Sequence, residues 1–328
     1  MYRNLIAALT LIFSPLALSA DEPAVGDCEA ASNWPGREPA WYADACLGDR
    51  PDSGGTVQGI PPSGSTAYML SFGIFAPANL TGAITYPMPD INSPTQLATS
   101  VPALFSADFN QSTGVLYAVN NDDGSIGTVD LSTGVYTSNA TLTGISAGTL
   151  TGLAWDPTTG VWYLTVGNEL YTVDPDTGIA TLIGDTGLSI LIEIKFDAAG
   201  QLYAVDISDD SLYAIDKTTA SATLIGPLGF NLNFAQGMAY DYADNTMWAW
   251  MYQGGGLVDW GTIDLSTGAA TSFVNFTNNG PEAAGAILGG FGGGGIPDIE
   301  PVPTLSATGL IVLVLVLAGL GLVVIRLR

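Results

Sequence analysis

A four-strand unit recurs along residues 105–277, and this repetition limits what the chain can fold into more than any other feature. The clearest copy spans residues 150–187, where segments rich in Val, Ile, Tyr, Trp and Thr alternate with turns. The turns pair Asp, which accepts backbone hydrogen bonds, with Gly, which accepts positive φ. The predicted strands of this copy are Leu150–Trp155, 161–166, Glu169–Val173 and 179–183.

The spacing of the copies predicts a β-propeller. An aromatic marker recurs about 40–46 residues apart, and the aspartate that begins the last turn keeps nearly the same spacing. A four-strand unit with this period is typical of a propeller blade. The alternatives are an open stack of β-meanders and a large sandwich. The aromatic markers are Tyr117, Tyr163, Tyr203 and Trp248, and the aspartates are Asp130, Asp174, Asp216 and Asp264.

Two incomplete stretches at the ends of the repeats predict a fifth blade. Residues 66–101 contain three strand-like pieces without Asp-x-x-x-Gly turns, and residues 282–288 resemble the first strand of the other units. Joining them gives an all-β propeller of five four-stranded blades over residues 66–289, with only short, protected edges. Ala283–Leu288 is therefore predicted to pair with residues 68–72.

The N-terminal region carries export features. Residues 1–20 contain a basic residue, an apolar run and small residues before Ala20, which predicts a cleaved signal peptide; an uncleaved anchor is the alternative. Residues 21–65 are acidic, rich in Pro and Gly, and hold both cysteines. In an exported chain, Cys28 and Cys46 are expected to form one disulfide.

The C-terminal region has a Gly/Pro linker at residues 290–302, an apolar run at residues 310–325 and a basic end. With the residues just before it, the apolar run is long enough to span a membrane, and the arginines mark its cytoplasmic end. The tail at residues 303–328 resembles an IPTL-CTERM sorting domain through Pro303, Thr304, Leu305, Ser306 and Gly309.

This resemblance concerns delivery. IPTL-CTERM tails resemble exosortase substrates of Gram-negative bacteria, which implies an exosortase-like partner and display at the cell envelope or outer surface. It also implies an initial anchor in the inner membrane through the C-terminal helix. Val302 and Thr308 depart from the usual Ile and Trp, and a plain tail anchor is the alternative. The resemblance implies nothing about the propeller's own ligand.

Charge and composition narrow the partners. All 31 acidic residues lie between Asp21 and Glu300, against four basic residues in that span, so its net charge is −27. Such a surface repels nucleic acid and anionic lipid. The sequence has no histidine, which removes the usual Ser-His-Asp and Cys-His catalytic sites and most zinc, copper and iron sites. No cofactor is expected, although calcium is possible.

Strand direction divides the turns between two faces of the disc. The turns after the first and third strands share the regular face, so called because it carries the Asp-x-x-x-Gly turns. The turns after the second and fourth strands share the variable face, where differing loops favour a functional role. Two acidic pairs there predict possible calcium sites, with solvated turns as the alternative: Asp122 with Asp123, and Asp209 with Asp210.

A charged cluster is predicted near the propeller axis. Alignment of the first strands places Ser106 level with Glu193, and two residues on it places Asp108 level with Lys195. Alternation puts both positions on one side of the strand. Because a buried charge is costly unless paired, Lys195 is expected to pair with Glu193 or reach Asp108. The favoured interpretation is a charge pair wetted by a central channel; a ligand or catalytic role is the alternative.

Three functional classes remain open. The absence of histidine and of cofactor motifs favours a non-enzymatic module that binds an unknown protein or glycan. The alternatives are a calcium-dependent enzyme of the lactonase or lyase type and a structural component of an extracellular matrix. The fold does not select among them, because one fold supports many functions.

Overall fold

In the described part of the chain, twenty strands form five antiparallel sheets of four strands each, and these sheets are the blades of a propeller. The all-β, five-bladed architecture predicted from the repeats is thereby confirmed. The predicted signal peptide, disulfide, linker and sorting tail lie outside the residues that the structure describes. This computed structural model describes residues 63–75, 80–234, 237–276, 280 and 282–289.

The blades are numbered I to V around the ring, and their strands are given from axis to rim. Blade I contains β20 (Ala283–Leu288), β1 (Thr66–Phe75), β2 (Leu80–Pro87) and β3 (Thr95–Ala98). Blade II contains β4 (Leu104–Asn110), β5 (Val115–Asn120), β6 (Ser125–Val129) and β7 (Tyr136–Thr141). Blade III contains β8 (Leu150–Trp155), β9 (Trp162–Val166), β10 (Glu169–Val173) and β11 (Ala180–Asp185). Blade IV contains β12 (Leu191–Phe196), β13 (Leu202–Asp206), β14 (Ser211–Ile215) and β15 (Ala222–Pro227). Blade V contains β16 (Gly237–Asp241), β17 (Thr246–Gly254), β18 (Leu257–Ile263) and β19 (Ala270–Phe276).

Blade I closes the ring with strands from both ends of the repeat region. β20 pairs antiparallel with β1, so that Thr66 lies opposite Leu288 and Ser71 lies opposite Ala283. The predicted pairing is confirmed. Because β20 is the innermost strand of a sheet whose other three strands begin the propeller, no blade is left with an unfilled inner position.

One hydrophobic cluster fills each of the five seams between neighbouring blades. The seam between blades III and IV, for example, packs Tyr163 against Phe196 edge to face, with ring centroids 5.2 Å apart. The seam that closes the ring, between blades I and V, places Ile84 with Trp248 and Trp260. Five filled seams bury a continuous core around the axis, which is how a repeat fold obtains its stability.

The turns of the regular face obtain their shape from local hydrogen bonds. In blade II, Asp130 Oδ1 accepts the backbone N–H groups of Ser132 at 2.9 Å and Thr133 at 2.8 Å. The hydroxyls of Ser132 and Thr133 also donate to Asp130, and together these bonds lower its pKa to about 2. Gly134 then takes φ of 68° to begin the fourth strand.

Every outermost strand contains a β-bulge at the same place. The register of the third and fourth strands shifts by one residue in all five blades, as between Leu170 and Tyr171 in blade III. Outermost strands have an unpaired edge that invites pairing with other chains, and a bulge interrupts that edge. The repeated bulge therefore protects the rim of an exported protein against edge-to-edge association.

Both ends of the described propeller lie on the regular face. The hydroxyls of Ser63 and Ser65 each donate to Asp241, the last residue of β16, at 2.6 Å. A Cβ added to Gly289 would come within 2.6 Å of the Asp241 carboxylate and the Ser65 hydroxyl. Gln111, in the first turn of blade II, donates to the Ile287 carbonyl at 2.7 Å. The chain therefore enters and leaves the propeller on the face opposite the variable loops.

Two details differ from the sequence expectations. In blade III the second strand begins at Trp162 rather than one residue earlier, and the fourth strand is Ala180–Asp185 rather than 179–183.

The parts of the chain that the structure covers contain no helix long and apolar enough to cross a membrane. The predicted membrane-spanning run at residues 310–325 is not among them.

Candidate functional site

The predicted charged cluster is present, and it is buried at the axis. Asp108 is carried by β4 of blade II, while Glu193 and Lys195 are carried by β12 of blade IV. Their side chains cross the innermost strand of blade III, which offers only Gly152 and Ala154 at the matching positions. The exposed fractions are 6% for Asp108, 0% for Glu193 and 1% for Lys195. Within the described part of the chain, the expected charge pair of Lys195 is therefore enclosed by protein, and no water-filled channel reaches it.

Side chains of β4 satisfy backbone groups on the open edge of β8. Ser106 Oγ accepts the N–H of Leu153 at 2.8 Å, and Asp108 Oδ2 accepts the N–H of Trp155 at 3.0 Å. An innermost strand has no neighbouring strand on its axial side, so these N–H groups need side-chain partners. The cluster therefore replaces the missing strand at the axis, and Ser106, which was absent from the predicted cluster, belongs to it.

Lys195 connects three blades through its ammonium group. Its Nζ donates to the carbonyl oxygen of Leu153 at 2.8 Å and to that of Ala107 at 3.0 Å. The ammonium also donates to Glu193 Oε1, 3.3 Å away. An ammonium has three donors, so these contacts use all of them. Of the two predicted partners, Glu193 is the one that Lys195 contacts.

The innermost strand of blade III has a glycine, Gly152, where the charged side chains cross it. A Cβ added to Gly152 would come within 2.6 Å of both Ile194 Cγ1 and Thr165 Oγ1. A side chain at this position would displace Ile194 of β12 and Thr165 of β9, so the glycine allows β12 to lie close to β8.

The electrostatics of the cluster follow from its burial. Burial raises the pKa of Asp108, although the positive charge of Lys195 and two backbone N–H groups oppose the rise. Burial also raises the pKa of Glu193, to about 7, against the same ammonium and the Ser106 hydroxyl. All three donors of the Lys195 ammonium have acceptors, and every member of the cluster is buried. These contacts connect three blades, which is a structural role.

Three further aspartates, which the sequence reasoning did not single out, end the innermost strands on the regular face. Asp156 follows β8 and forms an ion pair with Lys217 of blade IV. Asp197 follows β12 and accepts the Tyr203 hydroxyl at 3.2 Å. Asp241 ends β16 and holds the two serines of the chain entry. Their signal in the sequence is their shared position after the first strand of each unit.

The carboxylates of the two predicted calcium pairs accept hydrogen bonds from their own loops and from neighbouring segments of the variable face. Asp122 accepts the N–H of Ala103 at 3.0 Å, and Asp123 accepts that of Ser125 at 3.1 Å. Asp209 accepts the Tyr213 hydroxyl at 2.6 Å, and Asp210 accepts the N–H of Leu232 at 2.8 Å. Over the described ranges, no three acidic, histidine or cysteine side chains come together as a metal site would need. Calcium binding remains a sequence-based expectation.

The variable face over blades IV and V is a connected surface. Ile207 N–H donates to the Ile190 carbonyl at 3.1 Å, and Asn233 N–H donates to the Tyr252 carbonyl at 2.8 Å, so neighbouring loops hold one another. Ile190 and Phe234 are 39% and 40% exposed on it. Exposed apolar side chains on firmly held loops are suited to contact with a partner.

A small cavity lies in the seam between blades I and V. Its walls include Tyr86, Trp248 and Trp260, and its volume is about 20 Å³. A space of that size holds about one water molecule, whereas small-molecule sites occupy roughly 300–1,000 Å³. The cavity is a packing gap between aromatic rings rather than a ligand pocket.

Comparisons with known proteins identify the tail. A model of the IPTL-CTERM motif matches residues 300–328. No curated protein matches the sequence. Among solved structures, the chain is similar to one in a nidogen/laminin complex, with 14% identity over 69% of this chain and 98% of that chain, at a TM-score of 0.47.

Two other solved structures are similar at the same distant level. One is TolB from Acinetobacter baumannii, with 13% identity over 71% of this chain and 69% of that chain, at a TM-score of 0.43. The other is the PQQ-bound aldose sugar dehydrogenase from Streptomyces coelicolor, with 15% identity, coverages of 55% and 70%, and a TM-score of 0.39. Likenesses this weak say nothing about function. The chain joins a five-bladed propeller to an IPTL-CTERM motif, which indicates a sorted, exported cell-surface protein of bacteria that an exosortase-type sorting enzyme processes.

Proposed function

We propose that the propeller is a non-enzymatic binding module whose variable face binds another protein or a glycan. The observation that carries this proposal is the position of the chain ends. Ser63 and Gly289 lie on the regular face, so the tether to the sorting motif begins on the side away from the variable loops. The variable face is therefore the one left free to meet a partner.

The chemistry of the described residues supports binding over catalysis. The axial ammonium of Lys195 has partners for all three of its donors, and Asp209 and Asp210 on the variable face already accept hydrogen bonds from Tyr213 and Leu232. What this face offers a partner is exposed apolar surface at Ile190 and Phe234, together with the exposed Asp209 on the same face. Surfaces of this kind bind through a few apolar contacts surrounded by polar groups.

Delivery completes the proposal. The host is a Gram-negative bacterium, and the apolar run at residues 310–325 first holds the protein in the inner membrane. The sorting enzyme then acts at the motif that begins near Pro303. The match of residues 300–328 to the IPTL-CTERM motif supports this route.

The binding proposal is tested with glycan arrays and protein pull-downs that use the exported chain lacking residues 303–328. Once a ligand is found, the double variant Ile190→Ser with Phe234→Ser should raise its dissociation constant by about tenfold or more, because both changes remove apolar contact area. The matched control is Val135→Ser with Ile179→Ser, which removes apolar groups that are 55% and 59% exposed elsewhere on the disc.

Two results would count against the proposal. Equal losses in both double variants would mean general stickiness rather than a binding face. If no ligand binds in the arrays or the pull-downs, with or without added calcium, a structural role in a surface layer becomes the better explanation.

A further inference from the structure

Glu193 has one carboxylate oxygen with three donors and one with none. Oε1 accepts the Ser106 hydroxyl at 2.8 Å, the N–H of Ile194 at 3.0 Å and the Lys195 ammonium at 3.3 Å. Oε2 is buried, and among the described residues no donor lies within hydrogen-bond distance of it. An ionised carboxylate spreads its charge over both oxygens, so a bare Oε2 in a dry interior is costly.

The surroundings of Glu193 cannot neutralise a second negative charge. β4 contributes Asp108, β12 contributes Lys195, and the turn after β16 contributes Tyr242, whose pKa is raised by burial and then by Asp108. β8 contributes no titratable group at the level of the cluster, where it has Gly152 and Ala154. One ammonium therefore serves two carboxylates.

The two carboxylates differ in how well their charge is accommodated. Asp108 receives a backbone N–H on each oxygen, from Phe109 at 2.9 Å and from Trp155 at 3.0 Å. Glu193 receives all of its donors on Oε1. If one of the two must be neutral, the unsupported Oε2 of Glu193 is the cheaper place for the proton.

We propose that Glu193 holds a proton in the folded propeller and that loss of this proton loosens the axis, so that the fold tightens in acidic surroundings and weakens in alkaline ones. The axial cluster is then neutral overall, with Lys195 balanced by Asp108. Deprotonation would leave an unpaired charge where three blades meet. Because the chain is exported, this group senses the pH outside the cell rather than the buffered cytoplasm.

The direction of the pH effect follows from linkage. Burial raises the folded-state pKa of Glu193 to about 7, above its usual value of 4.5. The proton's contribution to stability is therefore complete below the unfolded-state pKa and is lost as the pH rises through about 7. The window to examine lies between mildly acidic and mildly alkaline conditions.

The test compares thermal melting of the purified full-length chain and its Glu193→Gln variant between about pH 5.5 and about pH 8.5. The wild-type melting temperature should fall by on the order of 5–10 °C across this window, and the variant should show little change. Glutamine has the size of the protonated acid and cannot lose the proton. A flat wild-type profile, or an undiminished slope in Glu193→Gln, would overturn the proposal.

Asp210→Asn is the matched control. Burial also raises the pKa of Asp210, but this residue lies on the variable face, away from the axis. Its variant should keep the wild-type slope above neutral pH; loss of the slope there would place the titrating group outside the axis. If Glu193→Gln fails to fold, carbon NMR of the glutamate carboxyls in the wild-type chain decides. The chain has seven glutamates, and one of them must titrate near neutral pH, or the proposal is wrong.

Discussion

At the scale of single residues, the propeller depends on where its few cations lie. Residues 63–289 contain two basic residues, Lys195 and Lys217; blade IV carries both, and each reaches a neighbouring blade. Lys195 is enclosed at the axis, whereas the Lys217 side chain is 26% exposed above the Phe196 ring. The two lysines are therefore expected to contribute different amounts to the free energy of unfolding.

Lys195→Met should destabilise the protein by about 3–5 kcal/mol, because it leaves the buried Asp108 without its balancing charge and two carbonyl oxygens without their donor. Lys217→Met removes a partly exposed ion pair with Asp156 and should cost about 1–2 kcal/mol. Denaturant unfolding of both variants at neutral pH checks the order. If the two costs were equal, the axial lysine would not be buried and paired as described.

At the scale of elements, neighbouring blades are joined by a contact between a turn of one blade and the outermost strand of the blade before it. The turn between the third and fourth strands packs against the outermost strand of the preceding blade: Thr143 N–H donates to the Gly178 carbonyl, and the Thr143 carbonyl accepts from Ala180, both at 2.9 Å. Glycine is needed there for two reasons, positive φ and close approach. At Gly160 in the same blade only the first reason applies.

Gly178→Ala and Gly160→Ala separate these two reasons. Both glycines belong to blade III, with φ of 71° and 75°, but a Cβ at Gly178 would overlap the Thr141 carbonyl while one at Gly160 would meet nothing within 4 Å. Gly160→Ala should therefore cost about 1 kcal/mol from backbone strain alone. Gly178→Ala should cost about 3 kcal/mol, since the blades must also separate. Chemical denaturation measures both, and similar costs would contradict the rim contact.

At the scale of the whole molecule, closure by β20 makes the propeller one cooperative unit. The strand carries Ala283, Ala284, Ala286 and Ile287 as buried residues, and they contribute to two seams at once, those of blade I with blades V and II. Removing the strand opens the inner edge of β1 and empties part of both seams. The damage therefore spreads beyond the residues that are lost.

A chain that ends at Gly280 should be recovered in low yield or melt at a much lower temperature than the wild type, because unpaired inner edges expose apolar strands to water. A chain that ends at Gly292 keeps β20 and should melt as a single, stable transition. Expression yield and differential scanning calorimetry compare the two. Equal stability of both truncations would mean that β20 is dispensable for closure.

The blade architecture can be predicted from the sequence because its signals are local. Asp and Gly at fixed offsets make the turns, alternation along each strand makes the faces, and the first-strand pattern at residues 282–288 marks β20 as the missing inner strand. Each of these acts over a few residues, so they can be recognised without knowing the register between blades. The acidic surface and the sorting tail are likewise properties of composition and short motifs.

The contacts of the axial charges could not be predicted without the fold. The sequence aligned Glu193 and Lys195 with the inner strands, but the partners of Lys195 include backbone carbonyls of Ala107 and Leu153, which any residue type could supply. The hydrogen bond from Ser106 to Glu193 and the bare Oε2 were also not predicted, since both depend on how closely the side chains of blades II and IV approach each other at the axis. That approach is set by packing in the seams between blades, and no single stretch of chain encodes it.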